Sequence, residues 1–156
     1  MKKIIILNWV LKIFIGVQII AIPIWEYMRY NLTSEQITWM YKDSIFGSFS
    51  HYIMLVRVTI LILGIIYIQK GLQAFINEGF FNFKSSNRFK IGGYLLSITS
   101  VFSIIVSLLN MQKSIKGGFS NIIMDLLLLA IGIGLLAFSD VIKKGNIIET
   151  ENNLTI

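Results

Sequence analysis

Residues 119–141 read FSNIIMDLLLLAIGIGLLAFSDV, an apolar run with an acidic residue, Asp125, well inside it and a second, Asp140, at its end. Three further apolar runs precede it in the chain, at residues 4–24, 53–69 and 92–111. A helix that crosses a bilayer needs about 20 consecutive, mostly apolar residues, whereas a closed β-barrel shows alternating segments of about 10 residues. The sequence therefore predicts an all-α fold, an integral membrane four-helix bundle that forms one domain over residues 1–156.

The composition excludes a water-soluble globular domain and a disordered chain. Hydrophobic residues make up 55% of the chain, isoleucine alone fills 31 positions, and charged residues make up only 14%, against about 25% in soluble domains. So few charges cannot cover the surface of a soluble domain of this size. Cysteine is absent, which excludes disulfides, thiolate metal sites and cysteine nucleophiles.

The lysines and arginines indicate the orientation of the spans. With the N-terminus in the cytoplasm, nine of the fourteen lie on the inner side, four lie on the outer side, and Arg57 lies within the membrane. Because cytoplasmic loops carry the excess of positive charge, we expect a multi-pass protein of the bacterial cytoplasmic (inner) membrane with both termini inside. This orientation gives an outer loop at residues 25–52, a basic inner loop at 70–91 and a cytoplasmic tail at 142–156.

The outer loop contains a helix start and a group of aromatic residues. Thr33 and Gln36 have the spacing of a capping box and predict a short helix through about Tyr41. The tryptophans and tyrosines around this loop favour an aromatic belt at the level of the lipid headgroups. A lid over the mouth of the bundle is the alternative.

The inner loop combines aromatic and basic residues. Its first part is amphipathic, Glu78 and Gly79 break that helix, and phenylalanines then alternate with Lys84, Arg88 and Lys90. This pattern is typical of a membrane surface, with rings at the acyl boundary and cations on anionic headgroups. Nucleic-acid binding uses the same residue types, but three cations on a membrane-tethered loop are weak support for it. We expect contact with the lipid bilayer and no direct contact with nucleic acid.

Arg57 and Asp125 are the charged residues that lie inside the predicted spans and away from their cytoplasmic ends. Such a charge costs roughly 2.5–3.5 kcal/mol on insertion scales, so it normally faces the bundle interior and a partner. Arg57 and Asp125 lie about four and six residues below the outer ends of their spans, which at about 1.5 Å per residue puts both roughly 6–9 Å deep. We predict a bidentate ion pair between them. It either fixes the order of the helices or forms a proton- or substrate-coupled site in which Asp125 titrates.

Small residues recur on the same faces. Gly64 and Gly132 each follow one of the two charged residues by seven positions, or nearly two helical turns. The resulting stripes of small residues predict close helix packing. In the third span Ser100 and Ser107 share this spacing, and serines in spans usually bond the backbone one turn back or a neighbouring helix. A polar pore lining is the alternative for these serines.

The sequence contains no recognisable catalytic or metal-binding motif. The single histidine, His51, excludes a bis-histidine haem within one chain, and the lack of cysteine excludes the four-helix thiol-oxidising membrane enzymes. No carboxylate pair has catalytic or metal-ligand spacing within a span, and no glycine-rich phosphate loop opens a helix. We therefore expect a protein that is not an enzyme and that holds no metal and no cofactor.

Two stretches resemble a known bacterial family. Residues 77–94, NEGFFNFKSSNRFKIGGY, are similar to its Gly-x-Phe motif, polar stretch, basic turn and glycine at the third span. Residues 138–156, FSDVIKKGNIIETENNLTI, are similar to its ending, in which basic residues and glycine precede an acidic spacer and Leu-Thr-Ile. The family is catalogued as domain of unknown function (DUF) 2975, and length, span number and segment order agree over nearly the whole chain. Phe81 departs from the family's pattern.

The resemblance implies a four-helix bacterial membrane protein whose activity is not established. Genes of that family are often described next to small helix-turn-helix regulators of the Cro/C1 type. The first functional hypothesis is therefore an accessory or signalling partner of such a cytoplasmic regulator, which would bind the inner loop and the tail ending in residues 154–156. A frayed terminus is the alternative for this tail.

The second functional hypothesis is a small transporter or channel subunit coupled through Arg57 and Asp125. Four spans are few for a transporter that works alone, so this function requires a homo-oligomer. A purely structural membrane protein is the third hypothesis.

Overall fold

The computed structural model describes residues 2–112 and 115–154. Within these ranges lie five α-helices: α1 (Lys2–Tyr30), α2 (Ser34–Met40), α3 (Ser50–Glu78), α4 (Phe83–Asn110) and α5 (Ile115–Leu154). A 3-10 turn, Gly47–Phe49, directly precedes α3. All regular secondary structure in the described part is helical, which confirms the predicted all-α class. Four of the helices, all except α2, are long and apolar enough to cross a membrane.

The short helix of the predicted outer loop begins where the capping box places it. Thr33 Oγ1 accepts a hydrogen bond from the backbone N–H of Gln36 at 3.3 Å, and Gln36 Oε1 accepts one from the N–H of Thr33 at 2.9 Å. These reciprocal bonds satisfy two N–H groups that the helix itself leaves free. The helix ends at Met40, with Tyr41 as its C-terminal cap, so the predicted capping box is confirmed.

Within the predicted inner loop at residues 70–91, α3 ends at Glu78, where the sequence predicts the helix to break, and a turn of four residues, Gly79–Asn82, follows. Gly79 adopts a φ of 89°, a conformation that favours glycine, and ends α3. Asn82 begins α4, because its Oδ1 accepts a hydrogen bond from the N–H of Ser85 at 2.6 Å. Its Nδ2 also donates to the carbonyl oxygen of Gly79 at 2.7 Å. The remaining residues of the predicted loop belong to the two helices.

The predicted cytoplasmic tail, residues 142–156, is helical as far as the structure describes it, to Leu154. Tertiary contacts explain why α5 continues. Ile142 is fully buried, and the side chain of Asn146 donates to the carbonyl oxygen of Phe81 at 2.8 Å. Residues 155–156, the end of the predicted apolar triplet, lie outside the described part.

The long helices pack as antiparallel neighbours in the order α1, α3, α4, α5. Contacts at both ends of α1 and α3 show this arrangement, since Asn8 bonds Gln69 and Glu26 bonds His51. Of the four, α4 has the largest buried share, 39% of its most apolar window, against 6% for α1. The first helix is therefore the most exposed, and α4 lies between α3 and α5.

The main apolar cluster lies at the end of the molecule that carries the α3–α4 turn. It consists of Leu72, Phe75, Phe89 and Ile142, with further side chains from α1 and α5 packed against it. Phe138 adds aromatic contacts, with ring centroids 6.0 Å from Phe75 and 5.6 Å from Phe89. This cluster joins all four long helices and fixes the end from which α5 continues.

Elsewhere the distribution of polar and apolar side chains is inverted relative to a soluble protein. Among the described residues, buried polar side chains outnumber buried apolar ones. Large apolar side chains are exposed along all four long helices; Ile6, Ile13 and Ile20 of α1 are each more than 60% exposed. The helices thus present apolar surfaces outward and hold serine, threonine, asparagine and aspartate between them.

Candidate functional site around Arg57 and Asp125

The structure brings together the two charged residues that the sequence places within the spans. Arg57 Nη2 on α3 donates to Asp125 Oδ1 on α5 at 2.6 Å. The Asp125 side chain is only 1% exposed, whereas that of Arg57 is 37% exposed. The carboxylate is therefore the member of the pair that depends on the protein for its partners.

The predicted bidentate geometry is corrected. Only one guanidinium nitrogen bonds the carboxylate, because Asp125 Oδ2 accepts from Ser103 Oγ on α4 at 2.5 Å. Ser103 lies in the third span, where serines are expected to bond the backbone one turn back or a neighbouring helix. It gives α4 a direct bond to the ion pair, so three helices meet at this one carboxylate.

The predicted stripes of small residues lie against α4. A Cβ at position 64 would lie 3.2 Å from a side-chain carbon of Leu96. A Cβ at position 132 would lie 2.5 Å from Ser97 Oγ and 3.0 Å from the carbonyl oxygen of Gly93. Gly64 and Gly132 thus admit α4 closely on both sides, which brings α3 and α5 near enough for Arg57 to bridge them.

The two serines predicted to mediate packing have different surroundings. Ser100 is fully buried, but its hydroxyl donates to the carbonyl oxygen of Leu96 in its own helix at 2.8 Å. Ser107 lines a cavity beside the ion pair. The serines of α4 that lie against α5 are Ser103, which bonds Asp125, and Ser97, which lies next to Gly132.

A polar cavity of about 150 Å³ adjoins the ion pair. Its polar lining consists of Arg57, Ser50, Ser103, Ser107, Asn110 and Asn121, and apolar side chains such as Phe46 and Phe102 complete its wall. About 30 Å³ of liquid volume per water makes this space large enough for a few waters or one small polar molecule. Among the described residues that line this cavity, Arg57 is the one with a charged side chain.

The loop between α2 and α3 borders the cavity and is hydrogen-bonded to two helices. Asn110 Oδ1, at the end of α4, accepts from Ser44 Oγ and from the N–H of Ile45, both at 3.1 Å. Ser50 Oγ then donates to Ser44 Oγ at 2.5 Å. These bonds tie the loop to two helices and hold Phe46 against the cavity.

A second polar cluster lies at the same end, around the single histidine. His51 is fully buried, and its Nε2 lies 2.6 Å from Glu26 Oε1. Its Nδ1 lies 3.4 Å from the hydroxyl of Tyr41. The cluster joins α1, α3 and the end of α2, and its residues are 25 and 10 positions apart in sequence, so no local pattern indicated it.

The three basic residues predicted at the membrane surface lie in the first turns of α4. Lys84 Nζ bonds Glu78 Oε1 at 2.7 Å, and Arg88 Nη1 donates to the carbonyl oxygen of Lys70 at 2.8 Å. Lys90 is exposed. Two of the three therefore stabilise the α3–α4 turn through protein contacts in addition to any contact with lipid.

Buried polar contacts also join the helices near the other end. Asn8 and Gln69, both buried, share a hydrogen bond of 2.9 Å from Gln69 Nε2 to Asn8 Oδ1. Ser86 and Ser139 exchange bonds, because each hydroxyl donates to the other residue's carbonyl oxygen at 2.9 Å. Asn8 and Gln69 are 61 positions apart in sequence, so no local pattern indicated that they pair.

No group of three or more histidine, cysteine, aspartate or glutamate residues forms a metal site in the part of the chain that the structure describes. The ion pair and its cavity are therefore the principal chemical feature of the described bundle. No family model, curated protein or solved structure matches this chain. The resemblance to DUF 2975 stays a prediction.

Proposed function

We propose that the protein is a multi-pass protein of the bacterial cytoplasmic membrane with both termini in the cytoplasm. The observation that supports this proposal is the inverted distribution of its side chains. Polar groups lie between the helices, while large apolar side chains cover their outer faces. In water such an apolar surface would cause aggregation, whereas the acyl chains of a bilayer would solvate it. The excess of lysine and arginine at the end with the two termini supports the orientation.

In this membrane the protein acts as a non-enzymatic accessory or signalling partner of a cytoplasmic helix-turn-helix regulator. The supporting feature is the last part of α5, residues 147–154, which continues for two turns past the contact between Asn146 and Phe81. Ile147 and Ile148 on this segment are 47% and 58% exposed. A helix with exposed apolar residues fits the groove of a partner protein. The resemblance to DUF 2975 supports the same kind of partner.

A cleft lies between the α3–α4 turn and the last part of α5, and its lining is suited to a basic partner. Phe80 and Phe81 of the turn line it together with Glu78 and Glu149. Glu78 also bonds Lys84, so this carboxylate is partly neutralised within the chain. A partner segment with one cationic and one apolar side chain would complement both the acidic and the aromatic walls.

A crosslinking pull-down tests this proposal. The full chain should recover a soluble regulator, and a truncation that removes residues 147–156 should lose it while it keeps the contact of Asn146. The matched control is Tyr30→Ser, which changes a residue 87% exposed at the opposite end. A complex that survives the truncation, or no complex with the full chain, would contradict the proposal.

The second candidate function is a small transporter or channel subunit. The specific support is the cavity beside Arg57, since a partly exposed guanidinium and a buried carboxylate are joined where a small polar molecule fits. Asp125→Asn keeps the shape of the side chain and removes its charge. In membranes this variant should lose a proton-coupled flux while the protein still assembles. An unchanged flux would exclude a coupling role for Asp125.

A further inference from the structure

An apolar groove runs between α1 and α3 in the halves that adjoin the outer loop. Its volume is about 360 Å³. Its wall consists of Gln18, Ala21, Ile22, Ile24, Trp25 and Met28 from α1, and Met54, Leu55 and Val58 from α3. Of the described residues in this wall, Gln18 is the only polar one apart from the indole of Trp25. The groove is distinct from the polar cavity, which lies towards α4.

The α1 wall of the groove is as long as one leaflet of a bilayer is deep. Its α1 wall extends from Gln18 to Met28, a distance of about 15 Å at about 1.5 Å per residue. The hydrocarbon core of a bilayer is about 30 Å thick, so one leaflet is about 15 Å deep. A single acyl chain therefore fits along this wall, whereas a partner helix is about 10 Å wide and would need a broader surface.

Two unpaired hydrogen-bond donors lie near the end of the groove that faces the outer loop. Trp25 Nε1 and Arg29 Nε are buried atoms for which the described residues provide no hydrogen-bond partner. They are four positions apart in α1, so their side chains lie on one face of the helix. Buried donors normally have a partner. Trp25 and Arg29 directly follow the predicted span 4–24, so in the proposed orientation they would lie close to the lipid headgroups.

The side chain of Arg29 is 22% exposed and is only weakly paired within the described part of the chain. Its Nη1 lies 4.0 Å from Glu26 Oε2, at the limit for an ion pair, while Glu26 bonds His51 more closely at 2.6 Å. Its guanidinium carbon lies 5.7 Å from the ring of Tyr52 on α3. The cation thus lies between α1 and α3, next in sequence to Met28 of the groove wall, and its Nε has no partner among the described residues.

We propose that this groove binds one phospholipid of the outer leaflet. The phosphate accepts hydrogen bonds from Arg29 and Trp25, and one acyl chain lies along the apolar wall between α1 and α3. The inference rests on the membrane location proposed above, but it does not depend on the cytoplasmic partner. A second copy of this chain on the exposed face of α1 is an outcome that the experiment separates.

Native mass spectrometry of the detergent-purified full chain tests the proposal, with phosphatidylglycerol added in steps. We expect one lipid to remain bound to each chain at activation energies that strip other lipids. Arg29→Gln and Trp25→Phe should each reduce that bound fraction at least fivefold. Lys42→Gln is the matched control, because Lys42 is also a cation of the predicted outer side and lies over the ring of Trp39 at 4.9 Å. This control should retain the lipid.

A second measurement needs no change at Arg29. In a Trp9→Phe, Trp39→Phe background, Trp25 is the only remaining tryptophan. Brominated phosphatidylglycerol should quench its fluorescence, and the quenching should persist after dilution into excess unbrominated lipid. Immediate recovery of the fluorescence, equal lipid retention by Arg29→Gln and the unchanged chain, or a dimer without bound lipid would each overturn the proposal. A protein absent from the membrane fraction would instead refute the proposed location, and a failed pull-down would refute only the partner.

Discussion

Arg57 and Asp125 differ in burial, so removal of either partner should change the free energy of unfolding by a different amount. Arg57→Gln leaves a carboxylate that is 1% exposed with Ser103 as its remaining bonded partner. Asp125→Asn leaves a guanidinium that is 37% exposed and lines a polar cavity. The first variant buries an unpaired charge, and the second leaves a charge that waters in the cavity can solvate.

The magnitudes follow from these surroundings. Removal of one partner from a buried pair costs about 3–5 kcal/mol, and we expect about 3 kcal/mol for Arg57→Gln because one hydrogen bond to the carboxylate survives. For Asp125→Asn we expect about 1–2 kcal/mol, since a partly exposed partner weakens the pair. Ser103→Ala removes a single bond between helices, which in membrane proteins averages about 0.6 kcal/mol and reaches about 1.7.

The assay is the free energy of unfolding in detergent micelles, with helicity followed as dodecyl sulfate is added. Each variant is compared with Lys42→Gln, an exposed lysine of the predicted outer loop whose loss should change stability by less than about 0.5 kcal/mol. The Arg57→Gln, Asp125→Asn double variant completes the cycle and should cost less than the sum of the single variants. An Asp125→Asn variant as destabilised as Arg57→Gln, or a cycle that is simply additive, would refute this reasoning.

Three further predictions concern packing and helix ends. Gly132→Ala should lower the unfolding free energy by about 2–3 kcal/mol, because the added methyl group would overpack against Ser97. Its control is Gly134→Ala, which faces open space and should be neutral or stabilising by up to about 1 kcal/mol. Equal effects of the two variants in thermal unfolding would exclude close contact between α4 and α5. Asn82→Ala removes the N-terminal cap of α4 and should cost about 0.5–2 kcal/mol, and hydrogen exchange should rise first at Ser85 and its neighbours rather than uniformly. Asn8→Leu leaves buried Gln69 without its partner and should lower the free energy of unfolding by about 1–2 kcal/mol. The Asn8→Leu, Gln69→Leu double variant should recover most of that loss. A double variant no more stable than the single one would contradict the pairing.

The sequence correctly predicted the elements that depend on residues close together in the chain. Apolar runs of spanning length predicted the four long helices, and the Thr33 to Gln36 spacing predicted the start of α2. Equal depth along two spans that run in the same direction suggested that Arg57 and Asp125 meet, and their side chains lie 2.6 Å apart in the structure. In each case the pattern depends on neighbours in sequence or on a simple count of residues along a helix.

The remaining features depend on how the helices rotate and pack. Several serines of α4 could have faced α5, and the rotation that seats Gly93 against Gly132 selects Ser103 as the partner of Asp125. The bond from Ser44 to Asn110 joins residues 66 positions apart, beyond the range of any local motif. Polar and acidic residues after position 145 resemble a free tail, and only the buried Ile142 and the contact with Phe81 explain why the helix continues.

The absence of native cysteine permits the most direct test of the membrane location and orientation. Tyr30→Cys and Ile148→Cys place single thiols at exposed positions, 87% and 58% accessible, at opposite ends of the bundle. A membrane-impermeant maleimide should label Tyr30→Cys on intact bacterial cells and should label Ile148→Cys only after the membrane is permeabilised. Labelling of both variants on intact cells, or the reverse pattern, would contradict the proposed orientation.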